Sequence, residues 1–192
     1  NRLAPVWSTV AFKLGAVLGD WTDVTYGSAL EVLQPWQRVF SAKAMLGLLS
    51  RAVIPKLAAA LRKIVINPSD QRDVDVFKAV VQWHSLVPAR HMSALLQGEF
   101  FPQWLQTLAD WLSSDGMRCA EVAAWYQGWK RLIPTALLHA RTGPIARSLN
   151  RALAMMDATM GVLDTGGTSA EIATALAPLM PTVRGYAASL DH

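Results

Sequence analysis

The sequence predicts an all-α fold, a right-handed stack of two-helix repeats, and three observations predict it. No alternating apolar–polar run of strand length occurs in the 192 residues, whereas apolar residues recur every three and four positions, the period of a helix face. A landmark then returns at a fixed step: Trp36-Gln-Arg-Val-Phe-Ser41, Trp83-His-Ser-Leu-Val-Pro88 and Trp129-Lys-Arg-Leu-Ile-Pro134 follow one another at 47 and 46 residues. A second landmark keeps pace, since Pro55 and Pro102 each lie 19 residues after their Trp. Self-similarity at about 40–47 residues, two helices per unit, is the mark of a HEAT-like α-solenoid, in which a unit buries its apolar face against its neighbours. The expected organisation is one helical repeat domain over 1–192: a half repeat at 1–20, repeats at 28–66, 73–112 and 118–161, and a helical tail at 168–190.

Taken in order, the first helix runs from Leu3 to Leu18 with Val6, Val10, Leu14 and Val17 on one stripe, and stops at Gly19-Asp20. Ser28-Ala-Leu-Glu31 has the spacing of a capping box, in which hydroxyl and carboxylate satisfy two orphan backbone donors, and the helix it opens carries Val32 and Trp36. Ser41 offers the next N-cap, ahead of Met45, Leu48, Leu49, Ala52 and Val53. Pro55 must break or kink that helix, because it cannot donate to the carbonyl four residues back. Leu57, Leu61, Ile64 and Val65 continue the stripe, and Asn67-Pro-Ser-Asp70 is a turn. The stripe Phe77, Val80, Val81, His84 and Val87 then leads to Pro88, and the segment 90–96 connects through Gly98 to the central helix.

That helix, Glu99 to Leu112, is the densest part of the predicted core. Phe100, Phe101, Trp104, Leu105, Leu108, Trp111 and Leu112 form one stripe. Pro102 falls in the first turn, where a missing N–H costs nothing. After the Ser113-Ser-Asp-Gly116 loop, Val122, Trp125, Tyr126, Trp129 and Ile133 make the next helix, ended by Pro134. Thr142-Gly-Pro144 is a break, and Leu149, Leu153, Met156 and Met160 mark the helix from Ile145 to Met160. A last helix opens at the capping box Thr168-Ser-Ala-Glu171 and is disturbed by Pro178 and Pro181. The core is thus expected to include Trp36, Trp83, Phe100, Phe101, Trp104, Leu105, Leu108, Trp111, Trp125 and Trp129.

Composition excludes disorder for most of the length, with 52% hydrophobic residues and eight Trp. The balance of 18 basic and 14 acidic residues gives +4, without any run of four Lys/Arg. The densest cations are Arg51, Lys56, Arg62 and Lys63, with Arg147 and Arg151 as an i, i+4 pair; these are the candidate partner or RNA contacts, and solvated helix faces are the plainer reading. Those same four cations interrupt the most hydrophobic region, so no membrane span is expected. A single cysteine, Cys119, rules out an internal disulfide and fits a reducing compartment. The chain starts at Asn1 without an initiator Met and reads as a piece of a longer protein.

Catalytic chemistry has few candidates. His84 lies on an apolar stripe, where a satisfied core histidine is the expectation; His91 and His139 lie near helix ends, and His192 is terminal. None is spaced with Cys119, Asp or Glu as metal ligands are, so no metal or other cofactor is predicted. Arg118 beside Cys119 could activate the thiol, against the default of a buried inert one. Gly166-Gly167 lacks the Lys and the strand of a phosphate loop, and Met155, Met156 and Met160 read as core before partner surface. No active site is expected, and the chain is read as a non-enzyme.

Several stretches carry a family resemblance. Leu33-Gln-Pro-Trp-Gln-Arg-Val-Phe40, Val53-Ile-Pro-Lys-Leu57, Val65-Ile-Asn-Pro68, Glu99-Phe-Phe-Pro-Gln-Trp-Leu105, Trp125-Tyr-Gln-Gly-Trp-Lys130 and Ala152-Leu-Ala-Met-Met156 resemble, in order and spacing, the C-terminal region of the septin- and tuftelin-interacting protein family, its GC-rich-sequence DNA-binding-factor-like domain. The match covers residues 1–161, with Gln103 where the family form has Lys and Asp157 where it has Asn. The resemblance implies a nuclear pre-mRNA splicing factor acting in disassembly of the intron-lariat spliceosome. It further implies spliceosomal proteins of that late complex as partners, and a DEAH-box RNA helicase engaged through a G-patch outside this chain. The domain itself would be the non-catalytic docking scaffold. The alternative is an RNA-binding or general protein-interaction α-solenoid using a basic surface.

Overall fold

The computed structural model describes residues 4–25, 28–138, 143–182 and 185–190, with side chains from residue 9 and, after the first gap, from residue 29. Every regular element among the described residues is helical. They fall into two compact units, Asn1–Ile64 with Asp73–Met92, and Val65–Arg72 with Ser93–His192. The second expected repeat therefore contributes to both.

In the first unit, α1 is Ala4–Asp20, and α2, Ser28–Leu33, runs into a 3₁₀ turn at Gln34–Arg38. The capping box expected at Ser28 lies outside the described side chains. Next come α3, Ala42–Ala52, α4, Ile54–Lys63, and α5, Val74–Gln82, which ends in a second 3₁₀ turn at Trp83–Ser85. Ser41 caps α3, its Oγ accepting from Ala44 N–H at 3.2 Å. Pro55 has the predicted effect: the helix breaks at Val53, and α3 and α4 meet at 43°. Met45, Leu48, Leu49, Leu57, Ala58 and Leu61 line the buried side.

Three expected stripes are turned by about one residue. On α1, Leu18 is buried while Val17 is 62% exposed, because α1 meets α3 on its Gly15 side, where Leu48 Cδ1 lies 3.8 Å from where a Cβ would stand. Val6 lies outside the described side chains. On α2, Leu33 is buried and Val32 exposed. Beyond α4 the helical period no longer applies, since Ile64 is already extended (φ −60°, ψ 124°); Ile64 stays buried and Val65 points out.

Local structure repeats at 47 residues. Trp36 C=O accepts from the N–H groups of Val39 and Phe40 at 3.0 and 2.9 Å, and Trp83 C=O accepts from those of Leu86 and Val87 at 3.0 and 2.7 Å. The buried side chains pair at the same step: Leu33 with Val80, Met45 with Met92, Leu48 with Leu95, Leu49 with Leu96, Val53 with Phe100, Ile54 with Phe101, Leu57 with Trp104, Leu61 with Leu108.

The second unit is centred on α7, Phe101–Leu112, with Pro102 in its first turn. The segment before it is no loose connector: α6, Ala89–Leu95, passes through a π-helical turn, Leu96–Phe100, directly into α7, and Phe101 N–H reaches back five residues to Leu96 C=O. Trp104 is fully buried and stacks on Trp125 with centroids 5.1 Å apart and planes at 9°. Phe100 touches Trp129 at 5.2 Å, and Trp111 meets Trp125 edge-on at 6.0 Å. Of the expected core, Trp83, Phe100, Phe101, Trp104, Leu105, Leu108 and Trp129 are buried. Trp36, Trp111 and Trp125 are only partly so: Trp36 lies over Phe40 with one side open, and indoles at the rim of a cluster keep an edge in water.

α8 is Cys119–Leu132, α9 Thr135–Leu138 and α10 Pro144–Asp164. Here Trp129 sits inside a helix rather than in a 3₁₀ turn, so the third expected repeat departs from the local pattern at Trp36 and Trp83. The buried face of α10 is Ile145, Ser148, Leu149, Ala152, Met155 and Thr159, which leaves Leu153 and Met160 exposed, contrary to the expected stripe. Polar side chains fit that face because Ser148 and Thr159 donate back to Pro144 C=O and Met155 C=O at 3.3 and 3.0 Å. α11, Ser169–Leu176, opens on the predicted box: Glu171 N–H donates to Thr168 Oγ1, and Thr168 N–H to Glu171 Oε2 at 2.7 Å. The Thr168 N–H first, then the Thr168 hydroxyl at 3.1 Å, both donating to Oε2, hold the Glu171 carboxyl below its usual pKa. A 3₁₀ turn at Ala177–Leu179 and the short α12, Tyr186–Ser189, complete the unit.

Candidate functional site

The groups with catalytic chemistry are dispersed. His84 is half-buried with Nδ1 2.8 Å from Val81 C=O, as a satisfied structural histidine should be. His91 is half-buried beside Arg90, and desolvation first, then the guanidinium, holds its pKa below the ordinary value. His139 and His192 lie outside the described residues. Cys119 is exposed, against the expectation of a buried thiol: it starts α8, with Met160 Sδ 3.4 Å and Met117 Sδ 4.0 Å from its Sγ. Among the described residues no group of three or more His, Cys, Asp or Glu is placed to hold a metal ion.

The candidate cations do not share one role. Lys56 is taken up inside the first unit: its ammonium donates to Leu18 and Gly19 C=O at 2.6 and 2.7 Å and to Trp21 C=O, and lies over the Trp21 ring at 5.9 Å. These carbonyls end α1, where helical donors run out and the dipole is negative, so Lys56 is a C-terminal cap rather than a partner contact. Arg62 Nε donates to Ala58 C=O at 3.4 Å. Arg51, Lys63, Arg147 and Arg151 have exposed side chains.

Arg51 lines a groove of about 1040 Å³ in the first unit. One wall is the stripe Ala11, Phe12, Gly15, Ala16 and Gly19 of α1; the other follows α3 and the start of α4, from Ser41, Lys43 and Ala44 through Gly47, Arg51 and Ala52 to Pro55 and Lys56. Phe12, 79% exposed, stands at its edge. Small residues at i, i+4 and i+8 keep the α1 wall low, and a Cβ at Gly19 or Gly47 would meet nothing within 4 Å. The lining holds three cations and no acid. The sequence reading names Arg51 as a candidate partner or RNA contact but misses the groove; the available signal was α1 itself, an apolar helix with Ala11, Gly15 and Gly19 in step and no charge between Lys13 and Asp20.

In the second unit a comparable surface is occupied from within. A Cβ on Gly98 would stand 2.7 Å from Gly185 C and Tyr186 N, so only glycine admits α12 there. Tyr186 N–H donates to Glu99 Oε1 at 2.9 Å. Pro102 shares a cavity of about 210 Å³ with Pro181, Thr182 and Ser189.

Comparison with known proteins places this helical chain in a family. The family model described as GC-rich sequence DNA-binding factor-like protein matches residues 1–108. Septin-interacting protein 1 of Drosophila melanogaster is 37% identical over 151 residues, 79% of this chain and 17% of the fly protein. Tuftelin-interacting protein 11 of Danio rerio is 36% identical over 158 residues, 82% of this chain and 18% of that protein. The chain thus spans under a fifth of the length of these relatives. With ordered motifs, a matching family model and identity across most of its length, the chain belongs to the GC-rich sequence DNA-binding factor-like family, among the septin- and tuftelin-interacting proteins.

Proposed function

We propose that this chain is a non-catalytic docking module of a nuclear pre-mRNA splicing factor that takes part in disassembly of the intron-lariat spliceosome. Its two-helix units, in step at 47 residues, stack as a HEAT-like α-solenoid and present faces to spliceosomal proteins of that late complex. The DEAH-box helicase of the same process is engaged through a G-patch outside this chain. The observation that carries the reading is membership of a family whose relatives are named for the proteins they bind, joined to an open groove in the first unit. The tagged chain, incubated with nuclear extract, should retain late spliceosomal proteins; retention of none would remove the reading.

RNA binding through the basic set is weakened by Lys56, whose ammonium is engaged with the end of α1. Were RNA the ligand, affinity would fall steeply with salt and drop when Arg51 and Arg62 are neutralised.

A further inference from the structure

The two units show one repeat position in two states. At the 47-residue step, Arg51, Ala52 and Pro55 of the first unit correspond to Gly98, Glu99 and Pro102 of the second. The second trio carries the chain's own tail: Gly98 lies under the backbone at Gly185 and Tyr186, Glu99 receives the Tyr186 N–H, and Pro102 faces Pro181 and Thr182 across a small cavity. The first trio lines the open groove. A surface that seats a helix in one unit is uncovered in the other.

We propose that the groove seats an amphipathic helix of a partner protein, with small apolar side chains toward its floor and carboxylates along its flank. This deepens the docking reading and rests on it. Three features specify the occupant. The α1 wall rises eight residues from Ala11 to Gly19, roughly 12 Å at ~1.5 Å per residue, which matches about two turns of helix. Gly15, Gly19 and Gly47 remove the side chains that would hold a second backbone away, and in the corresponding place the tail meets Gly98 through the backbone at Gly185 and Tyr186 and the small side chain of Ser189. The charged lining is Lys43, Arg51 and Lys56, all cationic; with Lys56 turned to the α1 carbonyls, Lys43 and Arg51 are left to select acidic flanks. Phe12, beside them and mostly in water, is the aromatic anchor that such a helix would cover. RNA suits the site less, because Phe12 is the one exposed aromatic among the described lining residues and successive bases find no row of stacking platforms.

The test is titration of the chain with a labelled helical peptide of about 15 residues, Ala and Leu on one face and Glu on the flanks, alongside a twin with Lys for Glu and an oligouridylate. The acidic peptide should bind at least ~10-fold more tightly than its twin. Gly47→Leu, whose side chain enters open space, should abolish binding with no loss in Tm. Arg51→Glu should weaken the acidic peptide by about 10-fold or more and favour the twin. Equal binding of the twins, binding indifferent to Gly47→Leu, competition by oligouridylate, or no binding at all would each overturn the proposal. Capture of late spliceosomal proteins by wild type and Gly47→Leu alike would sink the groove while leaving the docking reading intact; no capture by wild type, with the peptide result standing, would do the reverse.

Discussion

Residues 51–55 and 98–102 stand in matching register 47 residues apart, yet the helical run is interrupted at the first and continuous at the second. Around Pro55 the chain gives up a hydrogen bond, ends α3 at Ala52 and restarts at Ile54 after a 43° bend. Around Pro102 the same loss is absorbed by a π-helical turn, in which Phe101 N–H reaches Leu96 and the helical run continues into α7. The neighbours explain why each remedy suits its site. At the break, exposed Arg51 and half-buried Ala52 face a groove. At the π turn, Gly98 and Glu99 hold a piece of the chain, and π turns are found where a helix must re-aim groups for a contact. A proline at fixed spacing therefore sets where the axis is disturbed, and the surroundings decide how.

The largest test of this equivalence is in the cores. Leu57 and Trp104 are matched and both fully buried, but Trp104 also stacks on Trp125 and touches Phe101 at 5.7 Å. Trp104→Ala should cost about 3–5 kcal/mol and Leu57→Ala about 2–5 kcal/mol, with Trp104 the worse of the two in urea denaturation. Trp104 Nε1 is buried without a hydrogen-bond partner, so Trp104→Phe, which removes that orphan donor with part of the ring, should be much milder than Trp104→Ala. Equal losses at Leu57 and Trp104 would mean that the indole stack adds nothing beyond its area.

Helix type, the Pro55 break, the start of α7 and the Thr168 cap were legible in the sequence because they follow from short-range chemistry: period, a missing N–H, a hydroxyl three residues from a carboxylate. Which side of a helix is buried was legible only where the stripe is bulky, as in α7. On α1 and α10 the buried face is set by small residues, Gly15, Ser148 and Ala152, and a stripe counted from large apolar residues misplaces Val17, Leu153 and Met160. Lys56 was misread for a related reason: a lysine in a basic cluster resembles a surface charge until the fold brings the end of α1, more than 30 residues away, to its ammonium. The groove is a tertiary feature, and only its low α1 wall is visible in the order of residues.

Lys56→Met sharpens the comparison on the side of the break. It keeps the aliphatic stem but leaves the carbonyls of Leu18, Gly19 and Trp21 without their charged donor. A loss of about 1–3 kcal/mol is expected, the range for hydrogen bonds to charged groups, with amide exchange rising first in the last turn of α1. Were Lys56 a solvated charge, the change would stay within about 0.5 kcal/mol.

On the side of the π turn, Gly98→Ala places a methyl 2.7 Å from backbone atoms that no rotamer can move. Overpacking of that kind costs about 1–3 kcal/mol, and here it should appear as loss of amide protection over Tyr186–Leu190 while α7 stays protected. Gly47→Ala has nothing to strike and should gain up to about 1 kcal/mol from helix propensity. Opposite signs at these two glycines would separate an occupied face from an open one.

The finest contrast lies at the start of the same helices, where Ser41 and Pro88 share a register. Ser41 caps α3 by accepting the Ala44 N–H, whereas Pro88 contributes only its carbonyl, which accepts from His91 and Met92 at 2.9 and 3.0 Å, and a fixed φ. Ser41→Ala should therefore cost about 0.5–1 kcal/mol through the folded state, by orphaning a helix donor. Pro88→Ala should cost about 0.4–1 kcal/mol through the unfolded state, by restoring freedom that the ring removes. Thermal unfolding alone would not tell these apart. Native-state exchange would, because the first substitution raises exchange at Ala44 and leaves α6 alone, whereas the second lowers global stability without a local signature. A local rise at Met92 in Pro88→Ala would show that the two helix starts are built alike after all.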